Sequence, residues 1–130
     1  MLASPGYLQV HGVPRHPGDL LKANCVRVHP SAPVGFRDKG RTLTIAARGN
    51  LEFNHVAPAI GACAAGMGFG IFFSYQVAPF LAQGRLRLVL EDFEPEARPV
   101  SLVYPHARLL PARTRAFIDW MKSEFRDLRF

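Results

Sequence analysis

Residue types able to do covalent or acid–base chemistry are present in this chain, but not at the spacings such chemistry needs. The five histidines are His11, His16, His29, His55 and His106. No HxxxH or CxxC pattern joins them or the cysteines, so no tetrahedral metal set is offered. Cys25 and Cys63 are the only cysteines, too few for a disulfide scaffold. Cys63 lies among Ala and Gly on an apolar stripe, where a thiol behaves as a small buried hydrophobe. Ser74 follows an apolar run and precedes a helical segment, the setting of a nucleophile elbow. The flanking glycines of GxSxG are missing, however, so a helix cap is the preferred reading. The run Gly66-Met67-Gly68-Phe69-Gly70 is glycine-rich but precedes a strand, whereas a phosphate-binding loop follows a strand and opens a helix. The expectation is no enzyme, no catalytic residue, no metal ligand and no cofactor.

Noncovalent binding is the chemistry that remains. In an open α/β sheet, ligands collect beyond the carboxyl ends of parallel strands. Two such ends are legible, one at Phe53-Asn54-His55 and one at Ile71-Phe72-Phe73, just before Ser74. At the first, a strand feeds a helix N-terminus whose free N–H groups suit a carboxylate or carbonyl. Asn54 and His55 would supply polar contacts, and Phe72 or Phe73 an apolar wall. Strand alternation puts only one of those two rings on a given face. On the plainer reading Asn54 only caps its helix and the phenylalanines are only core.

The elements that must position these residues occupy residues 51–86 and read as strand, helix, strand, helix, strand. Leu51 and Phe53 alternate with Glu52. Asn54 is a suitable N-cap, although Pro58 then lacks the N–H that should bond back to the cap carbonyl. Val56, Ile60 and Cys63 form one apolar stripe, and Gly66 is placed to end the helix in a left-handed turn. Residues 69–73 are apolar throughout, as in a strand covered on both faces. Ser74 caps a second helix, which Gly84 ends. Before this stretch, Ser4 and Pro5 start a short helix closed by Gly12, and residues 17–23 form another. Residues 25–29 make a strand and residues 30–35 a loop. A hairpin with Asp38, Lys39 and Gly40 at its tip leads to a half-buried strand around Leu43 and Ile45. After it, Leu88 and Leu90 alternate with Arg87 and Val89, residues 91–98 are acidic and linker-like, residues 99–104 are strand-like, and a final helix carries Phe117, Ile118, Met121 and Phe125.

Length and composition are consistent with one globular chain. At 130 residues with 48% hydrophobic content, it can bury a real core and is too apolar to be disordered. No run reaches the ~20 apolar residues that span a bilayer, and the N-terminus lacks the basic and apolar regions of a signal peptide. The net charge of +6 invites a nucleic-acid reading, but the bases are scattered. Their one cluster, Arg37-Asp38-Lys39-Gly40-Arg41, reads as a solvated hairpin tip without the aromatic rings of single-strand binders.

The central stretch resembles the effector-binding domain of LysR-type transcriptional regulators. In that family a helix runs into an AxxGxGI turn and strand, followed by a VAPxLAxGRL helix and strand. Here these segments are Ala64-Ala65-Gly66-Met67-Gly68-Phe69-Gly70-Ile71 and residues 77–86. Ser4-Pro5-Gly6-Tyr7-Leu8, Gly12-Val13-Pro14, Pro17-Gly18-Asp19-Leu20 and Cys25-Val26 extend the match forward. Val103-Tyr104-Pro105, Leu110-Pro111-Ala112-Arg113 and Arg115-Ala116-Phe117-Ile118-Asp119 extend it to the end. Val34 and Ser74 depart from the family pattern, where a tryptophan and a proline are common.

The resemblance implies an α/β, periplasmic-binding-protein-like (type II) effector domain, of which the chain supplies one lobe plus the last strand and helix of the other. Residues 1–92 would be the lobe, 93–98 the hinge, and 99–130 the returning strand and helix. The implied function is sensing a small-molecule effector in a cytoplasmic regulator of transcription, at a pocket between lobes. That pocket would be lined by Phe53, Asn54, His55, Ile71, Phe72 and Phe73. DNA would be reached only through an N-terminal domain absent from this chain, which is therefore expected to be a fragment with no DNA-binding residue of its own. Homo-oligomers are expected, and no membrane. The alternatives are a stand-alone small-ligand-binding module without a DNA partner, or a nucleic-acid binder exploiting the positive charge.

Overall fold

Helix boundaries in the computed structural model, which describes residues 1–28, 33–97, 101–104 and 110–126, follow local chemistry closely. Helix α1 (Pro5–His11) is capped by Ser4, whose Oγ accepts the Tyr7 N–H at 3.2 Å, and Gly12 closes it at φ 82°. Residues Pro17–Lys22 form a 3-10 turn; Asp19 accepts the backbone N–H groups of Arg15 and His16 at 2.9 and 3.0 Å. Helix α2 (Val56–Ala64) starts one residue later than expected. Its N-cap is His55, with no side-chain cap bond, so Asn54 is not the cap. Pro58 explains the shift. With Val56 first, Pro58 falls in the opening turn, where its missing N–H forfeits no intrahelical bond. Helix α3 (Ser74–Ala82) corrects a second cap. Phe73 holds the N-cap position, and Gln76 Oε1 accepts the Phe73 N–H at 3.1 Å, so Ser74 is simply the first helical residue.

Both helices end as the glycines predict. Gly66 (φ 82°) donates to Cys63 O and Met67 to Ala62 O, each at 3.0 Å. Gly84 (φ 66°) donates to Leu81 O at 3.0 Å and Arg85 to Phe80 O at 2.9 Å. This paired arrangement satisfies the last carbonyls of each helix, and glycine enters the left-handed conformation without a Cβ penalty.

Strands β1 (Leu2–Ala3), β2 (Val26–Val28), β3 (Val34–Asp38), β4 (Arg41–Ile45), β5 (Leu51–Phe53) and β6 (Arg87–Leu88) build a mixed sheet and a separate hairpin. The sheet runs β5, β2, the pair Phe69 and Gly70, β1, β6. β5 is parallel to β2, Phe69 is parallel to Cys25, and Gly70 is antiparallel to Leu2, with which it exchanges two 2.9 Å bonds. The hairpin β3–β4 turns through Lys39 (φ 47°) and Gly40 (φ 80°), both left-handed as a tight two-residue turn requires. Two expectations shrink here. Pairing at residues 69–73 is confined to Phe69 and Gly70, and Ile71 and Phe73 are exposed rather than covered. An apolar run alone does not distinguish a strand from an exposed wall. Val89 does not alternate outward; Val89 and Leu90 are both buried. Leu90 takes a left-handed φ of 59° as the chain turns into the 3-10 turn Glu91–Phe93.

Alternation across the sheet creates two cores. Leu2, Val26 and Leu86 face α2 and α3, where Ala59, Ile60, Cys63 and Val77 meet them. Ala3, Cys25, Phe69 and Val89 face α1, the Pro17–Lys22 turn and the hairpin, through Tyr7, Leu8, Leu20, Phe36 and Ile45. Phe93 sets its edge against the His16 ring at 5.3 Å, and Arg37 pairs with Glu96.

Contacts divide the chain into two units, Met1–Glu96 and Ala97–Phe130. Within the second, no strand forms at Ser101, Leu102, Val103 or Tyr104; the rest of that expected strand, Pro99 and Val100, lies outside the described residues. So do His29 and His106, and residues 30–32 of the expected loop. Helix α4 (Ala112–Arg126) buries Ile118 and exposes Phe117, Trp120 and Phe125. Among the described residues, no helix is long and apolar enough to cross a membrane.

Candidate functional site

Three parallel segments leave one edge of the sheet together: β5, β2 and the Phe69–Gly70 pair. Val28 pairs with Phe53 and Cys25 with Phe69. Counted along that register, Phe72 comes level with Phe53, and Phe73 with Asn54. The two segments stand two strand spacings apart, about 10 Å. Helices α2 and α3 both start at this edge, so their N-termini face the same side.

Alternation then sorts the expected residues. Phe53 and Phe72 are partly buried against the α2–α3 core. Ile71 and Phe73 point the other way and are 42% and 51% exposed. Asn54 and His55 are exposed, ahead of a helix start that no side chain caps. Among the described side chains, the edge thus offers two polar groups, the free first-turn N–H groups of Val56 and Ala57, and two exposed apolar groups. The nearest charges on the strands, Arg27 and Glu52, satisfy each other at 3.1 Å.

Nucleophilic chemistry is not prepared here. Burial pushes the Cys25 thiol up to about 11 and the Cys63 thiol up to about 12. Both therefore stay protonated, as buried hydrophobes, at neutral pH. Among the described residues, no cluster of His, Cys, Asp or Glu is arranged to hold a metal.

The opposite edge is a structural tie. Asn24 Nδ2 donates to Met67 O at 2.6 Å and to Asn50 Oδ1 at 2.8 Å, while its Oδ1 accepts the Asn50 N–H at 3.0 Å. A Cβ on Gly49 would sit 1.6 Å from Cys25 O, so only glycine lets β5 enter beside β2. Near this edge, a hollow of about 410 Å³ is lined by Ser4, Tyr7, Val10, Ala65 and Arg85 among others. Its buried hydroxyl, Ser4 Oγ, is already used by the Tyr7 N–H, while His11, which also lines it, stacks on Tyr7 at 4.2 Å and Arg85 lies over the Phe80 ring at 4.9 Å. Sequence reasoning missed Tyr75 and Gln76 beside the candidate edge. The only available signal was Gln three residues after a cap position, the pattern that returns a side chain to the cap N–H.

Residues 1–126 match the family model described as the LysR substrate binding domain. The chain is 34% identical over 122 residues to the uncharacterized HTH-type transcriptional regulator YcaN of Escherichia coli (strain K12), covering 93% of this chain and 40% of that protein. Its fold matches the regulatory domain of AphB in Vibrio vulnificus with a TM-score of 0.82 at 28% identity, over 95% of this chain and 62% of that one. It also matches the full-length Vibrio cholerae virulence activator AphB with a TM-score of 0.85 at 27% identity, over 95% of this chain and 43% of that one. The chain spans about two fifths of the length of the curated relatives it matches.

Proposed function

The chain belongs to the LysR substrate-binding-domain family, with the periplasmic-binding-protein-like type II fold, and on that premise we propose that it recognises its small-molecule effector at the edge formed by Phe53, Asn54, His55, Ile71, Phe72 and Phe73. The observation that carries this reading is the convergence of two segments, with their two helix starts, at the carboxyl ends of parallel strands, the usual place for ligands in such sheets. Asn54, His55 and the first amides of α2 orient a polar group of the effector. Ile71 and Phe73 cover its apolar part, and Phe53 and Phe72 support the wall from the core. Residues 1–92 act as one lobe, 93–98 as the hinge, and 99–130 contribute helix α4 to a second lobe.

In the whole regulator, DNA contact belongs to an N-terminal domain, the protein works as a homo-oligomer in the cytoplasm, and the effector is bound without being transformed. The test is a thermal-shift screen of small acids and aromatic compounds against the full-length protein, repeated with Asn54→Ala and Phe73→Ala. Both variants should lose most of the shift given by a binding compound. An unchanged shift in both would remove the edge from consideration.

A further inference from the structure

Beside the candidate edge, the Phe73 and Tyr75 rings stack almost parallel, with an interplanar angle of 8° and centroids 5.8 Å apart. Each residue is 51% exposed. Single exposed aromatics are ordinary on a protein surface; a stacked and held pair is not. One carboxamide touches both residues. Gln76 Oε1 accepts the Phe73 N–H at 3.1 Å, and Gln76 Nε2 donates to the Tyr75 hydroxyl at 3.4 Å. The same side chain therefore fixes the backbone that carries one ring and the tip of the other.

We propose that Phe73 and Tyr75 form a platform for a planar aromatic ring of the effector, with Gln76 as its positioning residue. Offset stacking of flat rings is favourable beyond simple burial, and a platform already ordered in the free protein spares the ligand the cost of arranging it. Phe73 comes level with Asn54 in the strand register, about 10 Å away across two strand spacings, so the ligand spans from a polar head near Asn54 and His55 to a ring on Phe73 and Tyr75. The inference rests on the reading of that edge as the effector site, and adds to it both a ligand class and two residues outside the expected set.

Benzoate and cyclohexanecarboxylate separate these layers, because they share a carboxylate and a ring size but differ in flatness and π-character. Backbone amide spectra of the purified chain, titrated with each, give affinity and location together. Benzoate should bind at least about fivefold tighter, with the largest shifts at the amides of Phe73, Ser74, Tyr75 and Gln76. Tyr75→Leu and Gln76→Ala should erase the preference, bringing benzoate to within about twofold of cyclohexanecarboxylate, while amide signals remote from the edge stay in place. Equal affinity of the two acids, with shifts at Asn54 and His55, would overturn the platform and leave the edge standing. A benzoate preference that survives both substitutions would also overturn it. Shifts from neither acid at residues 54–57 or 71–76 would overturn the platform and the edge together.

Discussion

Gly49→Ala and Gly61→Ala should move stability in opposite directions, and the structure gives both signs. A Cβ at Gly49 would lie 1.6 Å from Cys25 O and 2.7 Å from Cys25 C. A comfortable C···O approach is about 3.3 Å, so the backbone there must retreat by about 1.7 Å. That retreat breaks the Cys25 N–H bond to Arg48 O and the Asn50 N–H bond to Asn24 Oδ1, both 3.0 Å. Two lost bonds at about 1 kcal/mol each, with about 1–3 kcal/mol of overpacking, put the cost near 3–5 kcal/mol. That is a large part of the roughly 5–15 kcal/mol a domain has to lose. At Gly61, inside α2 and exposed, an added Cβ meets nothing within 4 Å, so alanine should stabilise by about 0.5–1 kcal/mol. Urea unfolding followed by far-ultraviolet circular dichroism reads both. With a slope of about 2 kcal/mol/M, the midpoint should fall by roughly 2 M for Gly49→Ala and rise by a few tenths of 1 M for Gly61→Ala. A Gly49→Ala midpoint within experimental error of the parent would refute the close approach of β2 and the segment entering β5.

Asn54→Ala should change stability by less than about 0.5 kcal/mol, because Asn54 caps nothing; a loss of 1 kcal/mol or more in chemical denaturation would restore the cap. The Cys63 thiol, raised by burial from 9.0 to about 12, resists ionisation only in the folded state. Its stabilising contribution is therefore intact below about pH 9 and is lost as pH rises toward 12, on the order of 4 kcal/mol in all. Cys63→Ala should flatten the alkaline limb of the stability profile, and rapid native-state labelling of Cys63 by a thiol reagent at pH 8 would contradict its burial. Helix α4 exposes Phe117, Trp120 and Phe125, apolar surface that favours association. Light scattering should show concentration-dependent self-association of the chain, relieved by Phe117→Glu with Trp120→Glu; a concentration-independent monomer mass would count against it.

Features that depend on near neighbours in the sequence were legible there. Ser4 with Pro5, and the glycines at positions 12, 66 and 84, act within a few residues of themselves, so their roles follow from local backbone chemistry. The cap at α2 was misread by one residue because Pro58 reaches back to set the helix start. Phe72 against Phe73 was undecidable from pattern, since alternation fixes that the two faces differ but not which face the core takes. Val89 was misread for a different reason. Its partner cluster comes from α1 and the hairpin, on the other side of the sheet, and a short β6 between two covered faces does not alternate with solvent. The Tyr75–Gln76 arrangement depends on ring placement that no spacing rule supplies.

Amide hydrogen exchange on the purified chain, with and without a saturating compound from the thermal-shift screen, tests the effector edge most directly. The account predicts slowed exchange at residues 54–57 and 71–76, apart from any change at the hollow near Tyr7 and Arg85. Protection confined to that hollow, with the amides of Asn54, His55, Phe73 and Gln76 unchanged, would contradict it.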